Sequence, residues 1–175
     1  RTVALAILSS LLLTGCSVIS EILPDGAITN VLSGREGING SVLVVKIDDT
    51  TQAHPQVGLE DADIVYIEQV EGGLTRLAAV FSSVIPQRIG PVRSARISDI
   101  EILSQFGRVA FAYSGAQSKL LAVIAAANLQ DLGAQRQSPT IFTTDPNRTP
   151  PYAMVLRADL LMQRVTEKNY AIDSA

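Results

Sequence analysis

Tryptophan is absent from this 175-residue sequence, cysteine and histidine occur once each, and aromatic residues make up only 5%. A single cysteine cannot close an internal disulfide or build a cysteine-rich zinc site, and one histidine cannot furnish a histidine-cluster metal centre. No metal and no cofactor are therefore expected. Charge is sparse as well, at 18% with a net of −3 and a pI near 5.1. The basic surface that marks a nucleic-acid binder is missing, so nucleic acid is not an expected partner. Apolar residues are abundant, at 47%, which excludes a disordered chain and suffices for one well-buried core.

A membrane-spanning run is lacking too. The apolar stretch Val3 to Leu13, broken only by Ser9-Ser10, falls short of the about 20 residues that cross a bilayer. Its length fits the apolar core of a secretory signal peptide, with Arg1 as the remnant of a basic leader in a chain trimmed at its start. Leu13-Thr14-Gly15-Cys16 resembles the bacterial lipobox, in which the cysteine thiol takes a diacylglyceryl group and becomes the first mature residue. Two acyl chains anchor a protein stably where one is marginal. The expected organisation is a lipoprotein signal peptide over 1–15, the lipidated Cys16 and a flexible tether over 16–40, and an α/β domain over 41–175. The expected location is the extracytoplasmic face of a bacterial membrane, reached through diacylglyceryl-Cys16.

The remaining pattern mixes strand and helix signals, predicting a single α+β domain with a mixed sheet, a β-hairpin and packed helices. Val42 to Ile47 is an apolar run broken only by Lys46, as in a strand buried on both faces. Asp63 to Val70 and Leu74 to Phe81 flank Glu71-Gly72-Gly73, and a two-residue Gly72-Gly73 turn would join them as a hairpin. Ser98-Asp99-Ile100-Glu101 has the form of a capping box opening a helix to about Phe106. Val109 to Tyr113 reads as a strand, Gln117 to Asn128 as a buried helix, Ser138 to Pro150 as a loop, and Ala153 to Lys168 as a helix.

Candidate chemistry follows from that hairpin. The two-glycine turn places Glu68 opposite Leu77, alone on an apolar face, and Glu71 diagonal to Arg76 on the other face as a structural ion pair. A lone buried carboxylate has a raised pKa and can act as a general acid; the alternative is that Glu68 sits at an edge or pairs with an arginine elsewhere. Asp48, at a strand end, is the second catalytic candidate. Arg88, Arg93 and Arg96 fall within nine residues and lead to a helix start at Ser98. Arg93, Ser94, Arg96 and Ser98 thus form a candidate anion site for a phosphate or carboxylate. The competing reading has these arginines paired with Asp48, Asp49, Glu68 or Glu71.

Several blocks carry a family resemblance: Pro55-Gln56-Val57-Gly58-Leu59 with Ala62 to Tyr66, Val70 to Arg76 running into Ala79-Val80-Phe81, and Gly90-Pro91-Val92-Arg93-Ser94-Ala95-Arg96 with Ser98-Asp99-Ile100. In this order they resemble the YerB-like lipoprotein family, a bacterial family of unknown function, over about 42–115. The resemblance implies a lipid anchor and a second, C-terminal domain, of which this chain would be an incomplete copy. Two blocks depart from the family pattern: Ala112-Tyr113-Ser114-Gly115 has tyrosine where a histidine is expected, and Pro150-Pro151-Tyr152-Ala153 lacks an expected His and Asn.

Together these readings predict a lipid-anchored extracytoplasmic protein that binds or regulates a cell-envelope component, its partner a wall component or an envelope enzyme. The alternative is a hydrolase or transferase acting on an envelope glycan or phosphodiester through its carboxylates and an arginine anion site.

Overall fold

The computed structural model describes residues 28–175. Residues 1–15, Cys16 and the first part of the expected tether lie outside the described residues, as do the expectations placed on them. Every residue of Leu43–Asp48 (β1) is buried, which is why its apolar run does not alternate. It pairs antiparallel with Thr75–Phe81 (β3) and parallel with Val109–Ala112 (β5). Ile64–Gln69 (β2) lies outside β3, and Leu129–Asp131 (β6) lies outside β5, giving the order β2-β3-β1-β5-β6. A second, antiparallel sheet is made by Arg88–Ile89 (β4), Met154–Arg157 (β8) and Phe142–Thr144 (β7), in the order β4-β8-β7. Among the described residues there are three α-helices: Ser98–Ser104 (α1), Ser118–Ala126 (α2) and Ala158–Glu167 (α3). The class is α+β, as the mixed pattern predicts.

Two apolar cores sandwich the large sheet. On one face Val44, Ala78, Val80 and Phe111 pack with Leu103 of α1 and Leu120 and Ile124 of α2. On the other, Val45, Ile47, Leu77 and Ala79 pack with Phe142, Leu156, Leu161 and Val165 from the small sheet and α3. Among the described residues no helix is long and apolar enough to cross a membrane.

The hairpin register differs from the expected one by a single residue. Val70 N–H donates to Leu74 O at 2.8 Å, so three residues rather than two form the connection. Gly72 and Gly73 both take positive φ, 74° and 73°, which a side chain resists. Glu68 therefore faces Arg76, not Leu77. Because strand side chains alternate, the slip turns all of β3 over relative to the expectation. Glu68, Arg76 and Asp48 become one row across β2, β3 and β1.

Other differences have local causes. Only Leu120 and Ile124 of α2 are buried, since its other side lies against solvent. Strand β7 occupies part of the expected 138–150 loop, and Val155 and Leu156 belong to β8, because pairing with β7 overrides their helical spacing. Residues 28–40 are not a tether. Asn30 is fully buried; its Nδ2 donates to Ile38 O at 2.8 Å and Ser82 Oγ at 3.2 Å. Ser33 Oγ donates to Asp63 Oδ1 at 2.7 Å, which docks this arm on the domain.

Candidate functional site

Parallel neighbours β1 and β5 run together only from Leu43 and Ala110 to Val45 and Ala112. Beyond that point the segment from Pro91 to Ala95 enters between them. Arg93 N–H donates to Lys46 O (2.8 Å), Ser114 N–H to Arg93 O (2.9 Å), and Ala95 N–H to Gly115 O (2.9 Å). Crevices at the carboxyl ends of parallel strands that part in this way are where open α/β sheets place their ligands. Here the wedge itself brings Arg93 and Arg96 to the mouth.

Each charge brought there meets a defined partner. Arg93 Nε lies 2.6 Å from Asp48 Oδ2, although its N–H is not aimed along that line. Asp48 is further held by Thr50 N–H at 2.7 Å. Arg76 Nη1 donates to Ser94 O at 2.8 Å. Burial lowers the Arg76 pKa, and the neighbouring Arg96 and Arg93 charges add to this against Asp48 and Glu71. Arg96 binds Glu71 Oε2 through Nη2 at 2.8 Å and Nε at 2.9 Å. The expected Glu71–Arg76 pair is thus replaced by Glu71–Arg96: the one-residue slip turns Arg76 inward, and the loop carries Glu71 out to Arg96.

Glu68 lies on β2, the edge strand of the large sheet, as one of the two expectations had it, but it is buried there and not alone. Lys46, fully buried, bonds Glu68 Oε1 and lies 2.7 Å from Asp99 Oδ1. Ser98 Oγ donates to Glu68 Oε2. Burial pushes Glu68 up, but the Lys46 and Ser98 hydrogen bonds and the Lys46 charge outweigh it, and its carboxyl sits below the usual value. The expected raised pKa belongs instead to Asp99, where burial outweighs Lys46 and, with help from the Glu68 charge, lifts it to about 6. Ser98 does not cap α1, since its hydroxyl is drawn to Glu68. Asp99 reaches back to Arg96 N–H at 2.6 Å, the half of a capping box that an acidic residue supplies.

The four candidate anion-site residues therefore do not converge. Arg96 and Ser98 are engaged with the protein's own carboxylates, and Ser94 contributes its carbonyl to Arg76. Arg93 is ion-paired through Nε with Asp48, and its Nη atoms are the part left open. Among the described residues its one guanidinium hydrogen bond runs from Nη1 to Pro151 O, at 3.4 Å. Its Cζ lies 5.9 Å from the centre of the Tyr152 ring, and it borders a cleft of about 300 Å³ with Ser114, Thr144 and Pro151. Tyr113, in the place of the expected histidine, is buried and donates to Asp131 Oδ1 at 2.8 Å. Among the described residues no group of three His, Cys, Asp or Glu side chains is placed to hold a metal ion.

Sequence reasoning missed Lys46, Asp99, Tyr152 and Arg148 as site residues. Lys46 carried a signal: one cation inside a run buried on both faces demands an anionic partner. Arg148 pins two loops together, donating from Nη1 to Ala53 O at 2.8 Å and from Nη2 to Pro55 O; nothing local foretells a bond across 95 positions.

The ordered blocks around this wedge are matched by a family model. Residues 28–171 fit the description "Protein of unknown function (DUF3048) N-terminal domain". The chain belongs to this family. A relative of the DUF3048 chain, "Putative lipoprotein YerB" of Bacillus subtilis (strain 168), is 46% identical over 54 residues, which is 31% of this chain and 16% of the relative. The crystal structure of YerB protein from Bacillus subtilis shares the fold, with a TM-score of 0.76 at 24% identity over 84% of this chain. This DUF3048 chain spans 52% of that solved chain.

Proposed function

We propose that this protein is a lipid-anchored extracytoplasmic domain that binds a cell-envelope component through an anionic group, with Arg93 as the contact. The observation that carries the reading is the position of Arg93: held by the wedge where β1 and β5 part, beside Tyr152, its Nε paired with Asp48 and its Nη atoms making one long hydrogen bond among the described residues. A guanidinium presents its donors in a fixed fork, so Asp48 can hold one edge while the other meets a phosphate or carboxylate. Arg76 behind it has no carboxylate within ion-pair distance among the described residues and adds positive potential. The lipobox at Cys16 and the name of the Bacillus relative support the anchor.

The test is binding of the full chain to phosphate- and carboxylate-bearing wall fragments, together with detergent partitioning of Cys16→Ala. The reading expects Arg93→Gln to abolish binding and Cys16→Ala to move the protein to the aqueous phase. Fragment binding that survives Arg93→Gln refutes the contact.

A second reading, hydrolysis or transfer on an envelope glycan or phosphodiester, draws on Asp48 and Glu68 sharing one face of the sheet. Glu68 is held ionised, so its place in such a reaction is that of a proton acceptor. Release of cut products from those fragments, lost in Glu68→Gln, would favour this reading.

A further inference from the structure

The polar surface beside Arg93 has a composition that the anion contact does not use. The loop after β1 and the loop between β7 and β8 stand side by side, clamped by Arg148. Between them lies a cleft of about 500 Å³ bordered by Gln52, His54, Asp145, Asn147 and Tyr152. A second, of about 420 Å³, is bordered by Asp49, Thr50, Gln52, Thr75 and Tyr152. Both fall within the roughly 300–1,000 Å³ of small-ligand sites. Because they share Gln52 and Tyr152, they form one trough with Tyr152 between its halves.

The chemistry of that trough is mostly polar. Carboxylates, amides and hydroxyls line it together with the His54 imidazole, the Arg148 guanidinium and Leu74, and Tyr152 supplies its phenol ring. A lipid tail or an apolar peptide would leave those polar groups without partners, at a cost for each one desolvated. A sugar chain suits them. Each ring offers hydroxyls that both donate and accept, matching amides, which do both, and carboxylates, which accept twice. Its C–H face is apolar and packs on an aromatic ring, while the Tyr152 hydroxyl keeps a polar edge. The Arg93 guanidinium beside the same ring places a charge where an acidic substituent of that sugar would lie.

We infer that this trough binds a glycan chain, with Tyr152 as the stacking platform, Gln52, Asn147 and Asp49 as hydroxyl contacts, and Arg93 meeting an acidic group on the chain. The last element rests on the anion reading above; the stacking platform does not.

The experiment is calorimetric titration of the full chain with two probes. One is the neutral tetramer of β-1,4-linked N-acetylglucosamine, and the other a muramyl-type tetrasaccharide carrying carboxylates on alternate rings. Both are expected to bind, the acidic one about tenfold more tightly. Tyr152→Ala and Asn147→Ala are expected to weaken both by tenfold or more, Tyr152→Phe to retain binding, and Arg93→Gln to remove only the advantage of the acid. Asn147 is exposed, so its variant keeps the test decisive if Tyr152→Ala fails to fold. Tight binding of the acidic probe that ignores Tyr152→Ala and Asn147→Ala, with no binding of the neutral one, overturns the glycan trough and leaves the anion reading standing. Equal binding of both probes through Tyr152 overturns the anion reading alone. No binding of either overturns both.

Discussion

Lys46 Nζ lies 2.7 Å from Asp99 Oδ1, with both side chains fully shielded from solvent. Glu68 shares the same ammonium, so one buried cation serves two carboxylates from two different elements. This cluster ties β1 and β2 to the start of α1 directly beneath the wedge that presents Arg93 and Arg96. Buried charges are tolerated only when paired and hydrogen-bonded, and here each carboxylate has a second donor, Ser98 for Glu68 and the Arg96 N–H for Asp99.

Removing the cation alone should be severe. Lys46→Met leaves two carboxylates buried without their counter-charge, and a loss of about 3–5 kcal/mol is expected. Urea unfolding measures it. The triple variant Lys46→Met, Glu68→Gln, Asp99→Asn should recover most of that loss, because neutral groups carry a far smaller desolvation cost.

The two carboxylates should respond to pH with opposite signs. Asp99 is raised from 3.8 to about 6 in the fold; the folded state holds its proton where the unfolded chain has lost it. Its stabilising contribution is complete below pH 3.8 and is lost as pH rises through about 6. Glu68 is lowered from 4.5, so its contribution is present above that value and is lost as pH falls through the folded pKa. From about pH 4 to pH 6.5 wild type should lose stability relative to Asp99→Asn, whereas its gain relative to Glu68→Gln should come as pH rises to about 4.5 and level off above it. Denaturation midpoints at four pH values check both slopes.

Gly58 and Gly72 share a positive φ, 71° and 74°, but not their surroundings. A Cβ at Gly58 would stand 2.3 Å from the Arg88 carbonyl oxygen, whereas one at Gly72 meets nothing within 4 Å. Gly72→Ala should cost about 1 kcal/mol of backbone strain. Gly58→Ala adds a backbone clash in a packed region and should cost at least about 2 kcal/mol more. Paired thermal melts give the difference.

Asn30 decides whether the arm over residues 28–40 is part of the domain. Its Oδ1 accepts Leu32 N–H at 3.0 Å and Ser33 N–H at 3.2 Å while its Nδ2 serves Ile38 and Ser82. Asn30→Ala should lower stability by about 1–3 kcal/mol through the buried groups left unpaired. It should also speed proteolysis within 28–40, which a tether would not register.

Much of the architecture was legible from local signals. The apolar run at Val42 to Ile47 encodes a strand buried on both faces, and the apolar runs flanking Gly72-Gly73 encode a hairpin, because side-chain period and glycine conformation act over a few residues. The ordered blocks around Val70 to Arg76 and Gly90 to Arg96 likewise marked the family. Three things depended on tertiary structure. Whether two or three residues bridge the hairpin depends on how Val70 and Leu74 bond, and that single step decides whether Arg76 points inward. The partner of Glu68 was set by packing that brings Lys46 to Asp99, 53 positions away. The loops that border the trough around Tyr152 are far apart in sequence and are joined by Arg148, which bonds the carbonyls of Ala53 and Pro55. Backbone preference and burial pattern are written locally, whereas a buried charge takes whichever counter-charge the finished core places within reach.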